Sequence, residues 1–244
     1  MTDRQKFISG VSASLGRSVP VAPESIDETA FFESPGDADT RAKEITQDST
    51  SRSDELMESL KISAAKNGWN IHSVSDSENA IGVIQDICDS KGVRSVLTSD
   101  HQALNQLNVS AALSLPEGAT IRTTDRELHK NSVEDSKEEA FTADLGITGV
   151  DYGIAETGTV VIHPKNRVSR LVSLAPPVHI AVIQKGQVLE SLDELFAMER
   201  HDFLKDDLAG SMNLISGPSK TADIEGTTVT GIHGPLEVHL LILE

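Results

Sequence analysis

The sequence predicts an α/β fold built on a mainly parallel sheet flanked by helices. Three observations carry this. From Trp69 to Leu107, strand-length apolar runs alternate with helix-period segments, the pattern of parallel β-α-β units. After Ala140 the texture changes and runs of Val, Ile and Leu of strand length dominate. Aromatic residues make up only 3% of the chain, with one Trp and one Tyr, so its core must be aliphatic.

The elements follow in order. Residues 1–38 are polar and carry Pro20, Pro23 and Pro35, which read as an arm. Phe7, Ile8, Val11 and Leu15 have helical spacing within it. Thr40 to Asn67 reads as helix, interrupted near Ser49-Thr50-Ser51, with Gly68 as a left-handed stop. A strand over Trp69–Val74 leads to a helix over Ser77–Ser90, with Ile81, Ile84, Ile87 and Cys88 on one face. A strand over Val93–Leu97 precedes a short helix that begins at Ser99-Asp100 and runs through Leu107. Thr98, Ser99 and Asp100 therefore lie at a strand's carboxyl end, where ligands of parallel sheets sit. Asp125–Ala140 is charged, a solvated loop or helix. Strands are expected at Thr159–His163, Val178–Ile183, Met212–Ile215 and Leu236–Leu243. Helices are expected at Asn166–Leu174, stopped by Pro176-Pro177, and at Ser191–Lys205. The 244 residues fit a domain over 39–244 plus the arm.

Charge and cysteine content exclude several functions. Net charge is -17, and no Lys/Arg cluster offers phosphate neutralisation, so neither nucleic acid nor an anionic membrane is an expected partner. The acidity serves solubility or a basic partner. One cysteine, Cys88, cannot form an intramolecular disulfide, hold an iron–sulfur cluster or build a cysteine-based zinc site. No signal-type segment or apolar run long enough to span a membrane is present, so the cytoplasm is the expected location.

Two segments concentrate functional residue types. In Ile154-Ala155-Glu156-Thr157-Gly158-Thr159-Val160-Val161, a glycine turn joins two apolar runs. Hairpin geometry accounts for Gly158. It does not require Glu156, whose carboxylate is a candidate base or nucleophile. In Ser216-Gly217-Pro218-Ser219-Lys220-Thr221-Ala222-Asp223-Ile224-Glu225, a strand ends in a stiff turn, and Thr221 has the residue type to cap a helix from Ala222. The N–H groups of Ser219, Lys220 and Thr221 would then converge on an anion, with Gly217 allowing close approach. Asp223 and Glu225 oppose simple anion binding and suit positioning Lys220 or a hydroxylated ligand. A plain strand–turn–helix connection explains the same residues.

Other candidates stand apart. His233, between glycines and beside Pro235, is a candidate acid–base group or an ordinary loop residue. Arg167 and Arg170 share a helical face, suited to a carboxylate or to internal ion pairs. His239 reads as a core or edge histidine, and His163 and His179 have no assigned role. Dinucleotide, Walker A and nucleophile-elbow spacings are absent, as is any metal-ligand spacing.

Several segments occur together in an order that resembles the LUD-domain family, of the lactate utilization protein C type. They are Leu145-Gly146-Ile147-Thr148, the 154–159 segment, Arg170-Leu171-Val172-Ser173-Leu174-Ala175-Pro176, Val178-His179-Ile180-Ala181-Val182, the 216–225 segment and His233-Gly234-Pro235. The resemblance covers roughly residues 40–244 and is strongest from 145 onward. It implies a fold of the NagB/RpiA/CoA-transferase type. It also implies a place in oxidising L-lactate to pyruvate beside iron–sulfur lactate utilization subunits. With one cysteine, this chain would be the cluster-free subunit, with no cofactor of its own. Its expected ligand is a small carboxylate or anionic cofactor, held where the two loops meet. The candidate contacts are Thr157, Gly158, Thr159, Arg170, Ser216, Gly217, Ser219, Lys220 and Thr221, with Glu156, His233 and Asp223 as candidate catalytic groups. A stand-alone enzyme for an acyl-CoA, sugar phosphate or folate-like substrate remains an alternative. So does a regulatory or assembly protein. A homo-oligomer is compatible with either.

Overall fold

The computed structural model describes residues 3–14, 16, 34–124, 133–164, 169–222 and 228–244. Helix α1 (Asp3–Ser14) forms in the arm, and α2 (Pro35–Ser51) and α3 (Ser53–Asn67) follow. The Ser34 hydroxyl caps α2 by accepting the Asp37 N–H. The α2–α3 break falls at Arg52, whose guanidinium pairs with Asp48, Glu55 and Glu190. Gly68 ends α3 in the left-handed conformation, φ 94°.

Six strands form the main sheet. They are β1 (Asn70–Val74), β2 (Ser95–Ser99), β3 (Thr120–Thr124), β4 (Leu145–Gly149), β7 (Val178–Gln184) and β12 (Glu237–Leu243). Their order is β1-β12-β7-β4-β2-β3, and every pairing is parallel. Helices α4 (Ser77–Lys91), α5 (Gln102–Leu107), α6 (Val109–Ala112) and α7 (Val133–Thr142) connect its first half. A smaller sheet of β5 (Tyr152–Ile154), β6 (Thr159–Ile162), β8 (Val188–Leu189) and β9 (Asn213–Ile215) runs in the order β8-β5-β6-β9. Helices α8 (Leu171–Leu174) and α9 (Leu192–Leu204) and the hairpin β10 (Lys220–Ala222)–β11 (Thr228–Thr230) complete the described elements.

Strand alternation divides the core between the two faces. Ile180 and Val182 of β7 face α4 and α5, packing with Ile84, Ile87, Leu104 and Leu107. Ala181 and Ile183 face the other way, against Leu56, Met57 and Leu60 of α3 and Val160 and Ile162 of β6. Farther along that second face, Leu97 packs with Ala140, Ala143 and Val172. A sheet buried on both faces reads as near-continuous apolar sequence, as β7 and β12 do.

The structure differs from the sequence reading in four places. The expected helix over Asn166–Leu174 is only the short α8, and residues 165–168 lie outside the described ones. The turn after Ser216 leads into strand β10 rather than a helix, because β-branched Thr221 pairs with Val229 in an antiparallel hairpin. β3, with its polar Thr-Ile-Arg-Thr-Thr sequence, is an edge strand that hydropathy does not reveal. Strand β9 belongs to the small sheet and pairs antiparallel with β6.

The connectivity diverges between two neighbours. From β2 the chain moves outward to β3, and from β4 it moves the other way to β7. The carboxyl ends of β2 and β4 therefore border a topological switch point, where open α/β sheets open a crevice.

Candidate functional site

The two loops singled out in the sequence do meet, at the end of α3 that leads into β1, the amino end of the sheet. Thr159 Oγ1 lies 2.8 Å from Thr157 Oγ1 and 2.7 Å from Ser216 Oγ. Asn67 Nδ2 donates to the Thr157 carbonyl at 2.7 Å. The meeting is a packed contact. Gly158 has φ 61°, and a Cβ there would stand 2.4 Å from the Ala64 amide nitrogen. A Cβ on Gly217 would stand 2.4 Å from the Asn67 carbonyl oxygen. Both glycines let the loops lie directly on α3.

The remaining candidates spread around this contact. The Ser219 N–H donates to the Pro235 carbonyl, and Ser219 Oγ accepts the His233 N–H at 3.3 Å. Lys220 and Thr221 lie in β10, so their backbone belongs to a strand and no helix-start anion nest forms. Lys220 is exposed, and its Nζ lies near Gly68 at the carboxyl end of α3, a favourable place for a cation. His233 is exposed, and Arg170 is exposed at the start of α8, whose last residue packs beside Gly234. Glu156 is elsewhere: its Oε1 accepts the Leu192 N–H at 2.9 Å, in the first turn of α9. Asp223 and Arg167 lie outside the described residues.

A cluster of titratable side chains sits at the opposite, carboxyl end of the main sheet. Asp151 lies two residues beyond β4, His163 follows β6, Glu199 projects from α9 and His101 caps α5. Asp151 Oδ2 accepts the His163 N–H at 2.7 Å and contacts His163 Nδ1 at 3.0 Å. On the ring's other side, His163 Nε2 meets Glu199 Oε1 at 2.7 Å. Asp151 Oδ1 faces His101 Nε2 at 3.9 Å. The Ala103 N–H donates to His101 Nδ1, which places the ring proton of His101 on Nε2, towards Asp151. Gly149 makes room for that ring, since a Cβ there would stand 2.0 Å from His101 Nδ1.

The charges in this cluster hold one another. Burial works to raise the Asp151 carboxyl, but the His101 and His163 side chains and the His163 backbone N–H outweigh it and hold it well below the usual carboxylate range. Burial works to lower His163, and Asp151 and Glu199 outweigh it, so the ring is held above its ordinary value. His163 is thus clamped between two carboxylates that favour its charged form, with both ring nitrogens engaged. Burial, then Asp202, Asp151 and Glu199, push the neighbouring Tyr152 hydroxyl up to about 12. A cavity of about 60 Å³ opens here, lined by Asp151, Tyr152, His163, Glu199, Asp202 and Asp207. The arrangement can hold a proton between carboxylates and keep Asp151 ionised at the crevice.

Sequence reasoning named Thr98, Ser99 and Asp100 at this end but missed His101, Asp151, His163 and Glu199. The available signal was Gly149-Val150-Asp151, an acid directly after a buried run. Cys88 is buried on α4, and burial, followed by Asp89, pushes its thiol up to about 11, away from thiolate chemistry. No helix among the described residues is long and apolar enough to cross a membrane.

Comparison with known proteins agrees with this architecture. The LUD domain profile matches residues 57–243. Lactate utilization protein C of Shouchella clausii is 29% identical over 99% of this chain and 98% of that protein. Lactate utilization protein C of Halalkalibacterium halodurans is 32% identical over 66% of this chain and 67% of that protein. An uncharacterized protein of Escherichia coli, YkgG, is 26% identical over 100% of this chain and 99% of its own length. The crystal structure of a DUF162 family protein from Deinococcus radiodurans superposes with a TM-score of 0.52. It is 19% identical and covers 79% of this chain and 98% of its own, so it shares the fold. The profile match, the ordered motifs and the shared fold agree: the chain belongs to the LUD-domain family.

Proposed function

We propose that this chain is a cluster-free subunit of a system that oxidises L-lactate to pyruvate, working beside iron–sulfur subunits. The observation that carries this is similarity across 99% of the chain to a protein named for lactate utilization. The single, buried, high-pKa cysteine supports assigning the clusters to partner chains. The ligand in this proposal is a small carboxylate or anionic cofactor. Of the loop residues, Arg170, Lys220 and His233 are exposed and suited to meet it, while Thr157, Gly158, Thr159, Ser216 and Gly217 form the packed base. The test is growth on L-lactate as sole carbon source after removal of this chain from a cell with no second copy. Loss of growth, restored by the wild-type gene, is expected; full growth would overturn the proposal.

One observation favours a second reading, an enzyme in its own right. Asp151, kept ionised at the switch point beside a cavity, is placed for proton transfer or for gripping a substrate donor. If so, Asp151→Asn in a folded chain abolishes growth on lactate while leaving partner binding intact. Normal growth of that variant would remove this reading.

A further inference from the structure

A second cavity, of about 110 Å³, opens on the other side of the switch point, beside the carboxyl ends of β2 and β3. Its polar lining is Thr98, Ser99, Asn105, Asn108, Ser110 and Thr123, with Leu104 and Val109 as the apolar part. Among the described residues, no Lys, Arg, His, Asp or Glu lines it. The contrast with the neighbouring cavity, with its carboxylates, is sharp.

We propose that this neutral cavity binds an uncharged, hydroxyl-bearing molecule of the polyol or sugar class. Hydroxyl and amide groups each donate and accept, which matches alcohol groups and gives a full charge no counter-ion. In a chain of net charge -17, an anion without a cation to meet is repelled. The lining has unused hydrogen-bonding capacity. Thr98 Oγ1 and Thr123 Oγ1 lie 2.9 Å apart and share one proton between them. Their second proton serves the Arg122 carbonyl, 3.4 Å from Thr98 Oγ1, or a ligand. The side chains of Asn108 and Ser110 have no partner among the described residues. Asn105 is fixed by donating to Asp100 at 2.9 Å. Leu104 and Val109 offer an apolar surface to the C–H side of a sugar. The space equals that of roughly four water molecules, the room of a small polyol or of one edge of a pentose ring.

This inference is independent of the lactate role. The test titrates the ¹⁵N-labelled full chain with D-ribose, myo-inositol and glycerol, using inorganic phosphate and propionate as charged controls. Saturable amide shifts at Ser99, Asn108, Ser110 and Thr124 are expected with at least one uncharged probe, and none with the controls. Thr123→Val and Asn108→Gly should each weaken that binding by about tenfold or more. Glycine keeps the left-handed backbone of Asn108, φ 49°, while removing the amide. Signal dispersion shows whether each variant is folded, and Ser110→Ala replaces either one that is not. The proposal is overturned if none of the three probes gives a saturable shift. It is also overturned if phosphate or propionate shifts these amides, or if the substitutions leave binding unchanged.

Discussion

The two ends of the main sheet are built on different principles. At the amino end, the 156–159 and 216–220 loops close onto α3 through glycines and hydroxyl contacts, with little space between them. At the carboxyl end, His101, Asp151, His163 and Glu199 come from four separate segments; Asp151, His163 and Glu199 line one cavity there, and a second cavity of opposite character opens nearby. The first region is rich in motif and poor in space. The second has no sequence motif but has charge, burial and room. Motif density in a chain can therefore mark the joints that hold a fold as readily as the places where it binds.

Breaking the carboxyl-end cluster should have the largest effect. His163→Ala removes the ring that separates the mostly buried Asp151 and Glu199 carboxylates, leaving His101 as the remaining partner of Asp151, and should cost about 3–5 kcal/mol in urea unfolding. Close behind comes the amino-end joint. Gly158→Ala forces a Cβ against the Ala64 amide nitrogen at a positive φ and should cost about 3 kcal/mol. If Gly158→Ala proves neutral, the loops are not packed as described and the contrast fails.

The pH dependence sharpens the comparison further. His179 lies fully buried in β7, its Nε2 2.8 Å from Thr148 Oγ1. Burial, with a smaller effect from His239, pulls it down to about 3 from 6.5. Between those values the unfolded chain takes up a proton that the folded chain refuses. Stability from this residue is full above about 6.5 and falls as pH drops towards 3, at up to about 1.4 kcal/mol per pH unit. His163 works in the opposite sense: its contribution is full below pH 6.5 and is lost as pH rises through its raised folded value. Unfolding free energies across pH 4–9 should show a shallower acid slope in His179→Asn and a shallower alkaline slope in His163→Gln. The smallest effect is expected at Glu156→Gln. It keeps an acceptor for the Leu192 N–H but removes a charge from the start of α9, worth about 0.5 kcal/mol in thermal unfolding.

The framework was largely readable in the chain because local chemistry dictates it. Asp76 caps α4 and Gly92 ends it; Ser191 caps α9; Gly68 stops α3. Strands β7 and β12 lie within one residue of their expected bounds because double-sided burial demands unbroken apolar runs. β10 escaped because Thr221 suits a helix cap and a strand equally, and only its pairing with Val229 decides between them. The carboxyl-end cluster escaped for a different reason. His163 and Glu199 are 36 residues apart, and nothing local to either implies the other. Their contact is a product of topology, which brings the end of β6 onto α9. The joint order of the loop motifs did identify the family, through segments whose visible work is packing.

The central claim, that this chain acts as a cluster-free partner of iron–sulfur proteins in lactate oxidation, can be measured directly. The tagged full chain is purified from cells grown on L-lactate, and iron and co-eluting proteins are quantified. The account predicts iron recovered in stoichiometric amounts, carried by cysteine-rich proteins distinct from this chain. A chain that elutes alone and iron-free from lactate-grown cells would contradict it.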